Sequence, residues 1–181
     1  MKYQRCKMFG LSASIGDRFD GADAQLEGLF GEVVFSMSYQ EAEALGLVAP
    51  VRVEWVPMDF EAPLLADKKA NQLEKWGVWR NEERNRRFAV KMQEFAPDVQ
   101  CLVLVAKVEH AVHLKQFLPE YKLCYDQCKD YAGYVRSGLL DPDDEPPMTP
   151  ARREQMRQQF EEGTLKKVIA TDVWSTGVDF A

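Results

Sequence analysis

The chain has 181 residues, a length that suits one domain or one domain with an added segment. Hydrophobic residues make up 46% of it, enough to bury a core, which excludes a wholly disordered chain. A formal net charge of −6 argues against a protein that coats nucleic acid with a uniformly basic surface, although a local basic groove is still compatible with it.

No apolar stretch approaches the roughly 20 residues that a membrane span needs. The opening residues "MKYQRCKMFG" lack the long apolar segment of a signal peptide. We therefore predict a cytoplasmic protein without a membrane partner. The four cysteines are too scattered for a disulfide scaffold, and the pair Cys124 and Cys128 has no second pair or nearby histidine to complete a zinc set.

The first elements are short. "CKMFGLSAS", residues 6–14, is typical of a strand that enters a loop, and "DGADAQLEGLF" has the apolar spacing of a short helix. "EVVFSMSY", residues 32–39, is a strand candidate. In "SYQEAEALG", Ser38 and Glu41 have the spacing of a capping box and Gly46 ends the helix that they begin.

Residues 51–58, "VRVEWVPM", alternate apolar and polar side chains and predict the next strand. Residues 59–79 show no clear period, which predicts an irregular insertion with some helix. A helix over 81–97 follows, with an apolar stripe on one face and several basic residues on another, and Pro97 ends it.

The clearest α/β unit begins with "CLVLV", residues 101–105, a continuous apolar run typical of a strand buried on both faces of a parallel sheet. A helix with a one-sided apolar stripe follows, then a short strand over 121–125 and a proline-rich surface loop over 137–150. Thr149 and Pro150 have the N-cap and first-turn positions of another helix. "KKVIAT" is the last strand.

From residue 51 onward, strands and helices therefore alternate. This alternation predicts an α/β fold in which a parallel sheet carries helices on both faces. Lys107 follows the 101–105 strand directly, at the place where such a sheet presents ligand sites, so we expect it to contact a nucleic-acid backbone.

Three segments, in this order, resemble superfamily 2 helicases. "FGLSAS" is similar to motif III, usually written S-A-T, and "CLVLVAKVEHAVHL" is similar to the motif IV strand and helix. "MRQQFEEGTLKKVIATDVWSTGVDFA" resembles the segment that carries motif V, with its F-x-x-G, A-T-D and G-x-D. The stretch "DRFDGADAQLEGLFGEVVFSMSYQEAEALGLVAPVRVEWV" is similar to the bridge between two RecA-like domains in phage-type and restriction-type DNA helicases.

The resemblance implies a RecA-like fold of the P-loop NTPase class. Residues 1–50 would be the tail of a first RecA-like domain and a linker, and residues 51–181 a second RecA-like helicase domain, truncated and incomplete at its C-terminal edge. The sequence holds no G-x-x-x-x-G-K-[ST] loop, no Walker B strand end and no motif VI. We therefore expect part of an ATP-dependent helicase or translocase that supplies half of the ATP cleft and of the nucleic-acid track and is inactive as an ATPase alone.

The resemblance also assigns roles to single residues. Thr171 would hydrogen-bond a nucleic-acid phosphate, Gly177 would let the backbone approach the nucleotide, and Asp179 would accept from the ATP ribose. Ser12 and Ser14 match motif III, with serine in place of the last threonine, and would couple nucleotide state to strand movement. The alternative is purely structural: Gly177 serves a turn, Asp179 caps a helix, and Ser12 and Ser14 belong to an ordinary polar strand end.

The whole enzyme would use ATP and Mg²⁺, whereas this chain is expected to hold neither tightly. Its partners would be nucleic acid, with DNA favoured, and the missing first RecA-like domain, and an uncovered sheet edge would favour a homodimer. A stand-alone, non-catalytic module that binds nucleic acid or protein remains the alternative. A flavodoxin-like or receiver-like domain fits less well, because the first strand offers no acidic pocket or flavin loop.

Overall fold

A computed structural model of the chain describes residues 9–11, 23–57 and 69–174. The chain separates into two compact units, Met1–Trp55 and Val56–Ala181. Within the described residues, no helix is long and apolar enough to cross a membrane. Whether the units correspond to the tail of one RecA-like domain and the body of another stays a prediction.

The first unit contains two short helices, α1 (Asp23–Phe30) and α2 (Tyr39–Ala44), as the sequence predicts. The capping box at α2 is confirmed. The Ser38 hydroxyl accepts from the Glu41 backbone N–H at 3.2 Å, and the Glu41 carboxylate accepts from the Ser38 backbone N–H at 2.8 Å. Gly46 then takes a φ of 69°, a left-handed conformation that glycine adopts without a Cβ clash and that ends the helix.

Both strands predicted around this unit are wrong. Residues 33–38 and 51–57 form no strand, and Val34 and Trp55 are each 90% exposed. The described side chains of the first unit are all exposed apart from the half-buried Ala42. An alternating pattern becomes a strand only where a neighbouring strand accepts its backbone hydrogen bonds, and the described residues supply none here.

The second unit opens with three consecutive helical segments. Helix α3 (Ala70–Glu74) runs directly into a π-helix (Lys75–Trp79), and α4 (Glu82–Gln93) begins shortly after it. The cap of α4 is Asn81, whose side-chain oxygen accepts from the Arg84 backbone N–H at 2.9 Å. The predicted helix over 81–97 is thus confirmed, although it ends before Pro97.

A small parallel sheet forms the centre of the second unit. Its three strands have the order β1-β3-β2, so the last strand in sequence lies in the middle. The elements from the first strand onward are β1 (Cys101–Leu104), α5 (Val108–Lys115), β2 (Lys122–Cys124), α6 (Tyr131–Arg136), α7 (Pro150–Glu161), β3 (Lys167–Ala170) and a 3₁₀ turn (Asp172–Trp174). The unit is therefore α/β, as predicted, with a smaller sheet than the sequence pattern implies.

The strands bury different side chains on the two faces of the sheet. On one face Val103, Leu123 and Ile169 join a core with buried residues of α4 and α5. On the other face Val168 and Ala170 pack with residues of α7 and the 3₁₀ turn, in a separate core. Because successive strand residues point to opposite faces, these two cores place helices on both sides of the sheet.

The prediction that residues 101–105 are buried on both faces is only half right. Cys101 and Val103 are 7% and 5% exposed, but Leu104 is 52% exposed. Among the described residues β1 is an edge strand that pairs with β3 alone, so one of its faces is incompletely covered there.

The proline-rich loop after α6 lies mostly at the surface, as predicted, but one of its charged side chains is buried. Glu145 is 2% exposed. Its carboxylate accepts from the Leu123 backbone N–H at 3.3 Å and lies 3.4 Å from the Lys115 Nζ and 3.6 Å from an Arg152 nitrogen. These contacts tie the loop to β2, α5 and α7.

Candidate nucleic-acid interface

The three strands end at one edge of the sheet. The Val105 N–H donates to the Ala170 carbonyl at 2.9 Å, and the Thr171 N–H donates to the Cys124 carbonyl at 3.0 Å. The residues that follow β1, β2 and β3 therefore emerge side by side. Ligands of open parallel sheets bind at this carboxyl edge, which makes it the first place to look for a site.

Lys107 lies at this edge, at the position that precedes the first turn of α5. Its backbone is extended, with φ −136° and ψ 140°, and its side chain makes no capping hydrogen bond. The residue is exposed and forms no ion pair within the part of the chain that the structure describes. The free N–H groups and dipole of the first helical turn add to its positive charge, so an anion is favoured here.

Thr171 lies at the same edge, but only 4% of it is exposed. Its carbonyl accepts from the Trp174 N–H at 3.3 Å, which closes the 3₁₀ turn after β3. Trp174 packs against Phe160 of α7 with ring centroids 5.6 Å apart. The structure thus brings Lys107 and Thr171 to one edge, where Lys107 is exposed and Thr171 is buried. Phosphate binding by Thr171 stays a prediction.

The remaining predicted site residues lie outside the described residues. They are Ser12, Ser14, Gly177 and Asp179. Their roles in coupling and in nucleotide binding therefore stay predictions. The use of ATP and Mg²⁺ by the whole enzyme likewise stays a prediction. Among the described residues, no group of three or more His, Cys, Asp or Glu side chains could hold a metal ion.

A second group of charges lies where the π-helix meets α5. The Arg80 Nε donates to the Glu109 carboxylate, and the Lys75 Nζ lies 3.5 Å from the same carboxylate oxygen. The Arg80 guanidinium also lies 5.4 Å from the centre of the Trp76 ring. Glu109 belongs to the first turn of α5, close in sequence to Lys107, so this aromatic and basic group adjoins the carboxyl edge.

His110 is part of the packing between α4 and α5. His110 is 8% exposed, and its Nε2 lies 3.3 Å from the side-chain oxygen of Asn85, whose amide donates to the Trp79 carbonyl at 3.2 Å. Burial, aided by the nearby Arg84 charge, lowers the pKa of His110 from 6.5 to about 4. The ring is therefore neutral near neutral pH and acts as a structural hydrogen-bonding group.

The basic residues of α7 are held by acidic partners. Arg153 pairs with Asp126, and Arg157 pairs with Glu154 and Glu161. Beside them is an open cleft of about 220 Å³, lined by Pro150, Arg153, Glu154, Arg157, Val173 and Trp174. Since its cations are already neutralised, the cleft offers less attraction for a polyanion than the edge at Lys107.

Sequence reasoning missed the aromatic and basic group at the π-helix and the buried Glu145. The first had a weak signal, because "KWGVWR" places two tryptophans around a glycine and between two cations. Glu145 had no signal in the sequence, since an acidic loop gives no indication that one of its carboxylates is buried.

Comparisons of the chain with models of protein families, with characterised proteins and with solved structures give no match. The resemblance to superfamily 2 helicases consequently stays a prediction. Any function must therefore be inferred from the residues themselves and from the edge at which they meet.

Proposed function

We propose that the chain is part of an ATP-dependent nucleic-acid helicase or translocase and binds one strand at the carboxyl edge of its sheet. In this proposal the second unit is a RecA-like domain that contributes half of the nucleic-acid track and one wall of an ATP cleft. Without a phosphate-binding loop or an arginine finger, it hydrolyses no ATP alone.

One observation carries the proposal. Strands β1 and β3, which lie in the segments that resemble motif IV and motif V, are neighbours in the sheet although a whole strand and three helices separate them in sequence. Their pairing sets Leu104 opposite Ala170, so both segments continue from the same edge. A backbone that follows this edge would meet Lys107 and the first turn of α5.

The test is binding of a fluorescent single-stranded oligonucleotide, followed by anisotropy over a range of salt concentrations. Each phosphate contact contributes about 0.7 to the slope of log affinity against log salt for a single strand. We expect binding at low salt that weakens as salt rises. Lys107→Gln should weaken it and reduce the slope by about 0.7.

Lys166→Gln is the matched control, because Lys166 precedes β3 and so lies at the opposite edge of the sheet. Its affinity and slope should equal those of the unchanged chain. Absence of binding at low salt would refute the proposal, and equal effects of the two substitutions would refute the placement at the carboxyl edge. Hydrolysis of ATP by the purified chain, stimulated by DNA, would refute the view that it lacks a complete site.

A further inference from the structure

The π-helix is the least regular helical segment of the second unit. It spans Lys75–Trp79, and the Arg80 N–H closes it by donating to the Lys75 carbonyl at 2.8 Å. Such wide turns are rare, and they often occur at functional sites because they shift side chains from their regular helical positions. Here Gly77 is buried, whereas the neighbouring Trp76 is left 47% exposed.

The Trp76 ring lies beside a network of charges. The Arg80 guanidinium lies 5.4 Å from the centre of its ring, and Glu109 in turn holds Arg80 and Lys75. An exposed indole ordinarily has several rotamers, and ordering it on binding costs free energy. The cation–π contact with the guanidinium favours one position of the ring before a ligand binds, which lowers that cost.

Arg84 lies in the first turn of α4, near His110 of α5, and unlike Arg80 it has no acidic partner among the described residues. Its side chain forms no ion pair within the described ranges, although it is half-buried and burial lowers its pKa. A cation that is partly removed from water without a partner costs free energy, which a bound anion would offset. The nearby His110 ring is neutral, so it supplies no negative charge to Arg84.

The local charge favours an anionic ligand despite the net charge of the whole chain. The acidic groups around this face are Glu109 and Glu82, which act on the nearby His113, and Asp130, which acts together with Glu109 on Tyr134. Four cations lie near these three carboxylates: Lys75 and Arg80 on Glu109, Arg84 near His110, and Lys107 before the first turn of α5. The face therefore combines an exposed aromatic ring with an excess of positive charge.

We propose that Trp76 stacks on a base of a single strand of nucleic acid, while Arg84 and Lys107 take neighbouring phosphates. This inference depends on the proposed function, and it names the residue that would hold the strand by its bases. A single strand is the ligand that supplies both a free aromatic face and a negative charge at every residue. Bases of a duplex are stacked inside it, and an uncharged apolar peptide would leave Arg84 without a partner.

The experiment compares two oligonucleotides of equal length and charge, one with its natural bases and one that is abasic at every position. Affinity is measured by anisotropy at low salt for the unchanged chain and for Trp76→Ala. Removing one stacking partner should weaken binding of the natural strand about tenfold. The abasic strand should bind the two proteins equally, because it has no base for Trp76 to stack on.

Three further variants separate stacking from charge and from damage to the fold. Trp76→Phe keeps an aromatic ring and should restore most of the lost affinity, and Arg84→Gln should lower the salt slope by about 0.7. Arg86→Gln is the matched arginine control, since Arg86 is exposed and paired with Glu83, and it should change neither quantity. Trp55→Ala, at a residue that is 90% exposed, controls for the loss of a surface tryptophan.

The outcomes distinguish the two proposals. If the unchanged chain fails to bind either strand at low salt, both are wrong. If it binds and Trp76→Ala binds the natural strand equally well, the proposed function stands and the stacking is wrong. If circular dichroism shows that Trp76→Ala does not fold, Trp76→Phe is used instead, and tryptophan emission is measured as the natural strand binds. Loss of the base-dependent quenching in Trp76→Phe alone supports stacking. Unchanged quenching in Trp76→Phe refutes it.

Discussion

Replacing Glu145 by alanine should destabilise the second unit, because this carboxylate is 2% exposed and connects three elements. It accepts from the Leu123 N–H at 3.3 Å and faces Lys115 at 3.4 Å and Arg152 at 3.6 Å. Removing one partner of a buried ion pair usually costs about 3–5 kcal/mol, much of it from the charge that remains buried alone.

Here the remaining charge keeps other partners, which lowers the expected cost. Lys115 still donates to the Pro119 and Tyr121 carbonyls, at 2.7 and 2.6 Å, and lies 3.1 Å from an Asp144 carboxylate oxygen. The main loss is then the unsatisfied Leu123 N–H together with the weakened pairing of the loop. We therefore expect Glu145→Ala to lower the free energy of unfolding by about 2–3 kcal/mol.

The assay is equilibrium unfolding in urea, followed by circular dichroism. Asp143→Ala is the matched control, because Asp143 lies in the same loop and is exposed, and it should change the free energy of unfolding by no more than about 0.5 kcal/mol. Glu145→Gln keeps an oxygen for the Leu123 N–H and should cost less than the alanine variant. If Glu145→Ala and Asp143→Ala changed the free energy of unfolding equally, the buried Glu145 carboxylate would not stabilise the second unit as we describe.

Three other predictions concern packing and caps. The free energy of unfolding should fall by at most about 3 kcal/mol as the pH drops from 6.5 to about 4, because His110 is protonated in the unfolded chain but stays neutral in the folded one. Urea unfolding at several pH values should show that His110→Gln lacks this loss. Phe160→Ala should cost about 3–5 kcal/mol, since the ring is 6% exposed and packs against Trp174. Thr149→Ala should cost about 1 kcal/mol, because its hydroxyl accepts from the Arg152 N–H at 3.2 Å.

Each of these has a direct control. His110 acts through a folded-state pKa below its unfolded value, so its contribution is complete above pH 6.5 and disappears below about pH 4. An identical pH dependence in His110→Gln would contradict this assignment. Phe95→Ala, at a residue that is 48% exposed, should cost far less than Phe160→Ala, and Thr149→Ser should retain the cap.

Local chemistry made most helices predictable from sequence. Ser38, Asn81 and Thr149 each precede a helix whose first N–H groups need an acceptor, and each supplies one in the structure. The strands of the sheet were predictable for a different reason, because an apolar run such as "KVIA" can be buried only at the centre of a sheet.

The errors fall where the outcome depends on a distant partner. Residues 33–38 and 51–57 have strand-like sequences, but backbone pairing cannot be inferred from the residues of one strand alone. Helix α6 was not predicted; unlike α2, it has no capping box, and the side chain of its N-cap residue Asp130 makes no capping hydrogen bond. The same limitation hid the site, because Trp76, Arg80 and Glu109 meet only after the π-helix packs against α5.

The two ends of the sheet differ chemically, and this difference bears on where the proposed ligand would bind. At the amino edge, the Lys167 amine donates to the Ala96 carbonyl at 3.3 Å and to the Cys101 sulfur at 3.2 Å, and it lies 5.8 Å from the centre of the Tyr121 ring. A lysine held in this way is structural. At the carboxyl edge, exposed Lys107 has no such partner within the described residues, so its charge remains available to a ligand. If the chain binds a nucleic-acid strand, physical chemistry favours the carboxyl edge for that strand.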